Sequence, residues 1–177
     1  MSDELKGVRV AIVIEDLYED VELWYPLYRL REAGAEVTVV GSGRTDVFKG
    51  KHGLPVTADV AITDVSSADF DGLVVPGGFA PDYMRRAPKM IDFIREMGAA
   101  GKPTGAICHG AWALISADLV RDRQVTSYFS IKDDLTNAGG QYVDAEVVVD
   151  GNLVTSRIPD DLPAFMPAMI AALAEAK

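Results

Sequence analysis

Cys108 is the only cysteine of the chain, and it stands beside His109 in the run Pro103-Thr-Gly-Ala-Ile-Cys108-His109-Gly110-Ala111. A short apolar strand pattern passes there through small residues into a helix. A thiol at such a junction lies near the positive end of a helix dipole, which favours the anion and lowers the thiol pKa. Ala106 and Gly110, two residues before and two after the sulfur, meet the steric demand of a nucleophile elbow, where strand turns abruptly into helix. Ala106 replaces the glycine usual at that place. The elbow would present the sulfur to a pocket and leave the amides of His109 and Gly110 free to hold an oxyanion. Gly77 and Gly78, in Pro76-Gly77-Gly78-Phe79-Ala80-Pro81-Asp82, allow a further close amide. A fall of about 2 pH units in pKa would make the thiol mostly thiolate at neutral pH. The competing reading of a lone buried cysteine is core filler.

A second chemical group is the acid-rich turn Glu15, Asp16, Glu19, Asp20, Glu22. Glu22 opens a helix, where a solvated, ionised carboxylate is the ordinary occupant. Buried against Cys108, it would instead be protonated and donate a hydrogen bond to the sulfur. Both readings follow from the spacing. His52, in Gly50-Lys51-His52-Gly53, reads as an exposed turn histidine. Gly41-Ser-Gly43-Arg-Thr-Asp46 imitates the opening of a dinucleotide fingerprint, but it follows a second strand, has Asp for the third glycine and lacks a helix pattern behind it. One cysteine and two histidines exclude a thiolate-rich metal site, and no carboxylate spacing supports another, so no metal and no cofactor are expected.

The elements that must position these groups alternate. Val8–Ile14 is β-branched and almost wholly apolar, as a strand covered on both faces requires. A helix carrying Leu23, Leu27 and Leu30 on one stripe ends near Gly34, with Pro26 close enough to its start to be tolerated. Strands follow at Glu36–Val40 and Asp71–Val75, then a helix from Pro81 to Ala100, the strand Thr104–Ile107 and a helix after Cys108. The order predicts an α/β fold with a mostly parallel sheet between helices. Asp150-Gly151 between apolar runs predicts a terminal antiparallel hairpin, and Asp160 to Ala176 a last helix capped by Asp160 or Asp161. In such sheets ligands bind where strands end, and the three chemical turns all lie there.

With 177 residues, 49% of them hydrophobic, the chain suits one domain, 1–177. A net charge of −10 argues against nucleic acid and against an anionic membrane surface. The start, Met1-Ser-Asp-Glu-Leu-Lys, has acids where a signal peptide has basic residues, so a cytoplasmic address is the default.

Several ordered stretches together resemble the PfpI-like (ThiJ/PfpI) superfamily. They are Glu19-Asp-Val-Glu22-Leu-Trp-Tyr-Pro26, Gly50-Lys-His-Gly53, Val75-Pro-Gly-Gly78, Ala106-Ile-Cys-His-Gly110, Thr126-Ser-Tyr128, Asn137-Ala-Gly139, Val143-Asp-Ala-Glu146 and Thr155-Ser-Arg157. The resemblance implies a flavodoxin-like three-layer sandwich, related to class I glutamine amidotransferases, with Cys108 at the elbow and Glu22 and Glu19 against the sulfur. It places Tyr128 on the active-site tyrosine. It also implies a Cys-His-acid triad completed by an acid from a neighbouring subunit, for which Asp82, one methylene shorter than the family's glutamate, is the matching position. The amidotransferase reaction itself is excluded, because no histidine follows His109.

The resemblance implies a cysteine-dependent stress enzyme acting on small reactive aldehydes or their adducts, of glyoxalase III or deglycase type. An intracellular cysteine peptidase is the rival enzyme reading. A non-catalytic redox sensor or chaperone, working by oxidation of Cys108, is the reading of another class. The expected partners are a small aldehyde, adduct or peptide and further copies of the chain, as homodimer or homohexamer. Trp24, Tyr25 and Tyr28 are candidate interface anchors or core residues.

Overall fold

Strand β1 (Arg9–Ile14) is buried from Val10 onward, which places it at the centre of the sheet that the computed structural model describes over residues 3–177. It pairs in parallel with β2 (Glu36–Gly41) on one side and with β6 (Gly72–Val75) on the other. Between β2 and β6 lie a hairpin, β3 (Val47–Lys49) and β4 (Pro55–Thr57), and the short edge strand β5 (Val60–Ala61). Strand β7 (Thr104–Ile107) pairs with β6. A small parallel pair, β8 (Gln124–Val125) and β9 (Gln141–Tyr142), precedes β10 (Val147–Asp150) and β11 (Leu153–Ser156). The main sheet runs β10-β11-β7-β6-β1-β2-β5, and only the β10–β11 pairing is antiparallel. The Asp-Gly hairpin therefore lies where the sequence predicts it, with Gly151 at φ 53°.

Helix α1 (Asp20–Glu32) buries Leu23, Leu27 and Leu30 and packs beside the last helix, α6 (Leu162–Glu175). Pro26 lies inside α1 without interrupting it. Helices α2 (Ala80–Met84), α3 (Pro88–Ala99) and α4 (Ala111–Ser116) pack together in the other layer, and α5 (Lys132–Asn137) packs on α4. The three-layer α/β sandwich is thus as expected.

Two expectations are corrected. The helix from Pro81 to Ala100 is two helices, because Pro88 forces Ala87 into extended backbone (φ −107°, ψ 94°). Asp161 stands at the N-cap position of α6, but its side chain makes no capping hydrogen bond. The helix follows a 3-10 turn over Pro159–Asp161, and the Asp161 carboxylate accepts from Arg157 Nε (2.8 Å) and Nη2 (3.1 Å).

Candidate active site

The carboxyl edge of β1, β6 and β7 carries the chemical groups together. Cys108 follows β7 directly, with φ 59°, in the left-handed region that L-residues avoid. This strain, of about 1–3 kcal/mol, is what an elbow requires. It is sustained by close packing: a Cβ on Gly110 would lie 2.5 Å from the Val75 carbonyl oxygen. Gly77 is equally constrained. A Cβ there would lie 2.7 Å from Glu22 Oε2, 2.8 Å from Cys108 Cβ and 2.9 Å from the His109 nitrogen. Gly78 has φ 74° and bridges to Tyr18. The turns after β1, β6 and β7 are therefore in direct contact.

Glu22 is wholly buried. Its Oε2 accepts the Gly77 N–H at 2.8 Å, and Oε1 has no partner of ordinary hydrogen-bond geometry. Burial pushes the Glu22 carboxyl up to about 8, and the Gly77 amide offsets this in part. At neutral pH the carboxyl keeps its proton and interacts with the Cys108 sulfur. Of the two readings left open by the spacing, the buried acid is the one realised.

Cys108 is 7% exposed. Burial first, and the charge of Glu22 second, push its thiol up to about 12, against hydrogen bonds from the His109 and Gly78 amides. The expected lowering by a helix dipole is overridden by desolvation. Helix α4 has only six residues, and a 3-10 turn separates it from the sulfur. Once Glu22 holds its proton, its charge no longer opposes the thiolate and its O–H can donate to it.

Nδ1 of His109 lies 3.3 Å from Sγ. Its ring meets Trp112 edge-on and stacks on Tyr128, each with centroids 5.0 Å apart. Burial, and then the charge of Lys51, lower the His109 pKa, so the imidazole is neutral and able to accept a proton. Tyr128 also donates its backbone N–H to the Cys108 carbonyl at 3.3 Å.

Glu19, 7% exposed, is ion-paired to Lys51 Nζ at 2.5 Å, and His52 Nε2 lies 3.2 Å away. Asp82 is paired with Arg86 at 2.5 Å, on the exposed face of α2, and not with His109 of its own chain. The Gly77 amide, expected for the oxyanion, is engaged by Glu22 and orients the acid instead; the amides directed at the sulfur are those of Gly78 and His109.

Two site residues carried no role in the sequence reading. Lys51 reads as an ordinary turn lysine, and the signal beside it is Gly50, where a Cβ would lie 2.4 Å from the Asp20 carboxylate of the acid-rich turn. Trp112 sits four residues after Cys108, where an aromatic reads as core.

Glu19, Asp20 and His52 bring three potential metal-ligand atoms within 4.8 Å of one another. They are a poor fit to a metal ion. Asp20 accepts the backbone N–H groups of His52 (2.9 Å) and Leu54 (3.0 Å), and Lys51 supplies the positive charge to Glu19. A cleft of about 820 Å³, lined among others by Glu15, Asp16, Arg44, Lys49 and Tyr83, opens at the same sheet edge without reaching Cys108. Ser42-Gly43-Arg44 borders that cleft as a loop leading into β3, so the dinucleotide imitation has no helix behind it.

A parallel α/β sandwich with a strained cysteine between strand and helix, backed by a buried acid, defines the class. The family model described as DJ-1/PfpI family matches residues 8–172, and the chain belongs to that family. A deglycase of Pyrococcus abyssi is 51% identical over 159 residues, covering 90% of this chain and 95% of that one. Protein/nucleic acid deglycase 2 of Escherichia coli is 46% identical over 159 residues, covering 89% and 92%. Among solved structures, a two-domain protein of Anabaena variabilis, with DJ-1/ThiJ/PfpI-like and ferritin-like domains, superposes with a TM-score of 0.92 at 45% identity. The match covers 94% of this chain and 48% of that one. No helix among the described residues is long and apolar enough to cross a membrane.

Proposed function

We propose that the protein is a cysteine-dependent enzyme of glyoxalase III or deglycase type, acting on small reactive aldehydes or the adducts they form with amines. The observation that carries this reading is the wholly buried Glu22 carboxyl held by the Gly77 amide beside Cys108, where burial raises its pKa and favours the protonated form. An aldehyde carbonyl accepts a nucleophile readily, and its addition is completed by one proton delivered to oxygen.

In the first step His109 Nδ1 takes the thiol proton while Sγ bonds to the aldehyde carbon. Glu22 gives its proton to the carbonyl oxygen, and a hemithioacetal results. The Gly78 and His109 amides stabilise negative charge on sulfur and on the neighbouring oxygen. With a 2-oxoaldehyde, a carboxylate at Glu22 then moves the proton from the hemithioacetal carbon, through an enediol, to the adjacent carbon. The product is a thioester, which water hydrolyses to a 2-hydroxy acid with return of the thiol. Oxidation at one carbon balances reduction at the next, so no external oxidant or reductant enters. With a hemiaminal adduct, the carbon–sulfur bond forms as the carbon–nitrogen bond breaks; Glu22 gives its proton to the departing amine nitrogen, and the same hemithioacetal results.

The relatives named as deglycases at 51% and 46% identity support the same reading. Amide hydrolysis makes a further demand, an acid to orient His109. Asp82 lies on α2 in an ion pair with Arg86, so a peptidase would need that pair opened and Asp82 supplied by a second copy. Oligomerisation belongs to the proposal too. Val21, Tyr25 and Tyr28 expose an apolar stripe on α1 suited to a further copy, and sedimentation would read the state.

The test is conversion of methylglyoxal to lactate by the pure protein, with fluorogenic peptides assayed in parallel. Lactate formation, lost in Cys108→Ala, is expected. No turnover in the wild type, or turnover retained in the variant, overturns the reading.

A further inference from the structure

The turn between β3 and β4 is bolted to the segment that carries Glu19 and Glu22. Lys51 donates its backbone N–H to the Tyr18 carbonyl at 2.8 Å, and Gly50 donates to Leu54 at 2.9 Å. Asp20 accepts the His52 and Leu54 amides, and the Tyr18 hydroxyl donates to the Leu54 carbonyl. A Cβ on Gly50 would lie 2.4 Å from the Asp20 carboxylate. This turn presents one ammonium, Lys51 Nζ, to the buried face of Glu19, and that charge also acts on Glu22, Cys108 and His109.

The groups around the sulfur come from five places. Glu22 stands on α1 and Glu19 just before it; His109 follows the sulfur; Lys51 and His52 occupy the β3–β4 turn; Tyr128 stacks on His109 from the loop after β8. Asp20 is engaged by backbone amides, and Asp82 by Arg86. Of these, Lys51 is the permanent cation, and it is shared between an acid that holds it and a sulfur that must lose a proton.

We propose that Lys51 is a positioning residue for the nucleophile: anchored by Glu19, its ammonium is the positive charge against which Cys108 becomes a thiolate. The inference rests on Cys108 being the nucleophile, but not on which carbonyl it attacks. With Lys51 removed, the sulfur loses that positive charge, and its ionisation is deferred to higher pH. With the charge of Glu19 removed, the ammonium serves the sulfur alone, and ionisation comes earlier.

The experiment is the rate of Cys108 alkylation against pH, using neutral iodoacetamide and anionic iodoacetate. For Lys51→Met the profile is expected to move up by about 1 pH unit, so that alkylation by iodoacetamide slows about tenfold at a fixed pH on the rising limb. Lys51→Arg is expected to restore it to within about threefold, since the charge returns with altered geometry. Glu19→Gln is expected to move the profile the other way. Thermal melts of all three variants establish that they are folded; should Lys51→Met fail to fold, Lys51→Arg and Glu19→Gln carry the test by their opposite predictions.

An unchanged iodoacetamide profile in Lys51→Met and Glu19→Gln overturns the proposal. So does slowing with iodoacetate alone, which would make Lys51 a collector of anions. Failure of the proposed reaction is separate: a wild type without aldehyde turnover, whose alkylation still depends on Lys51, removes the substrate reading and leaves this one standing.

Discussion

Glu19 and Glu22 lie three residues apart at the start of one helix, and both are nearly excluded from solvent. Glu19 meets an ammonium carried in by the β3–β4 turn, and its burial is compensated by an ion pair. Glu22 meets a backbone amide and a sulfur, neither able to cancel a full charge, and it holds a proton instead. Identical side chains one helical turn apart are thus given opposite electrical states by what the rest of the fold brings to them. A buried carboxyl that must keep its proton is an acid ready for use, whereas an ion-paired one is a fixture.

The comparison breaks most visibly at Glu22. Glu22→Gln keeps the size and an acceptor for the Gly77 amide but cannot release a proton, and kcat is expected to fall about 100-fold. The same variant tests the protonation state through stability. Glu22 binds its proton more tightly in the folded protein than at its ordinary value of 4.5. Its stabilising contribution is therefore complete below pH 4.5 and is lost as pH rises through about 8. Melting temperature against pH should be flatter across that window in Glu22→Gln than in wild type. An unchanged slope would mean that Glu22 is ionised, as its neighbour is.

Gly77→Ala attacks the partner that makes Glu22 different. The methyl group would sit within 3 Å of Glu22 Oε2, Cys108 Cβ and the His109 nitrogen, so the turn must shift. A loss of about 2 kcal/mol in urea unfolding is expected, together with loss of turnover. On the other side of the comparison, His52→Ala removes only the exposed contact of Glu19, leaving Lys51 in place. The expected cost is about 0.5 kcal/mol or less, with kcat within about twofold of wild type. A larger loss would mean that Glu19 is held by the histidine as much as by the lysine.

The elements were largely legible in the chain because their causes are local. An unbroken apolar run makes Val10–Ile14 a buried strand, Asp150-Gly151 makes a hairpin, and small residues around Cys108 make an elbow. The errors came where a local signal had a stronger rival. Pro88 stops a helix whose apolar spacing continues past it, and Asp161, at the N-cap position of α6, gives its carboxylate to Arg157 and not to the helix amides. The site's electrostatics were less legible, because they depend on partners far apart in the chain. Gly77 and Glu22 are 55 positions apart, and no spacing rule assigns that amide to that carboxyl. Desolvation of Cys108 likewise follows from the completed fold, and it reverses the effect expected of a helix start.

The left-handed backbone at Cys108 has a consequence for how such a protein can be improved. At φ 59° glycine would rest without strain, so stability alone favours glycine there. Cys108→Gly is expected to abolish turnover while regaining about 1 kcal/mol of backbone strain, part of which the lost side-chain packing cancels. Selection for thermal tolerance alone would drift toward a robust, inert protein, and the reactive form persists only where its chemistry is selected as well.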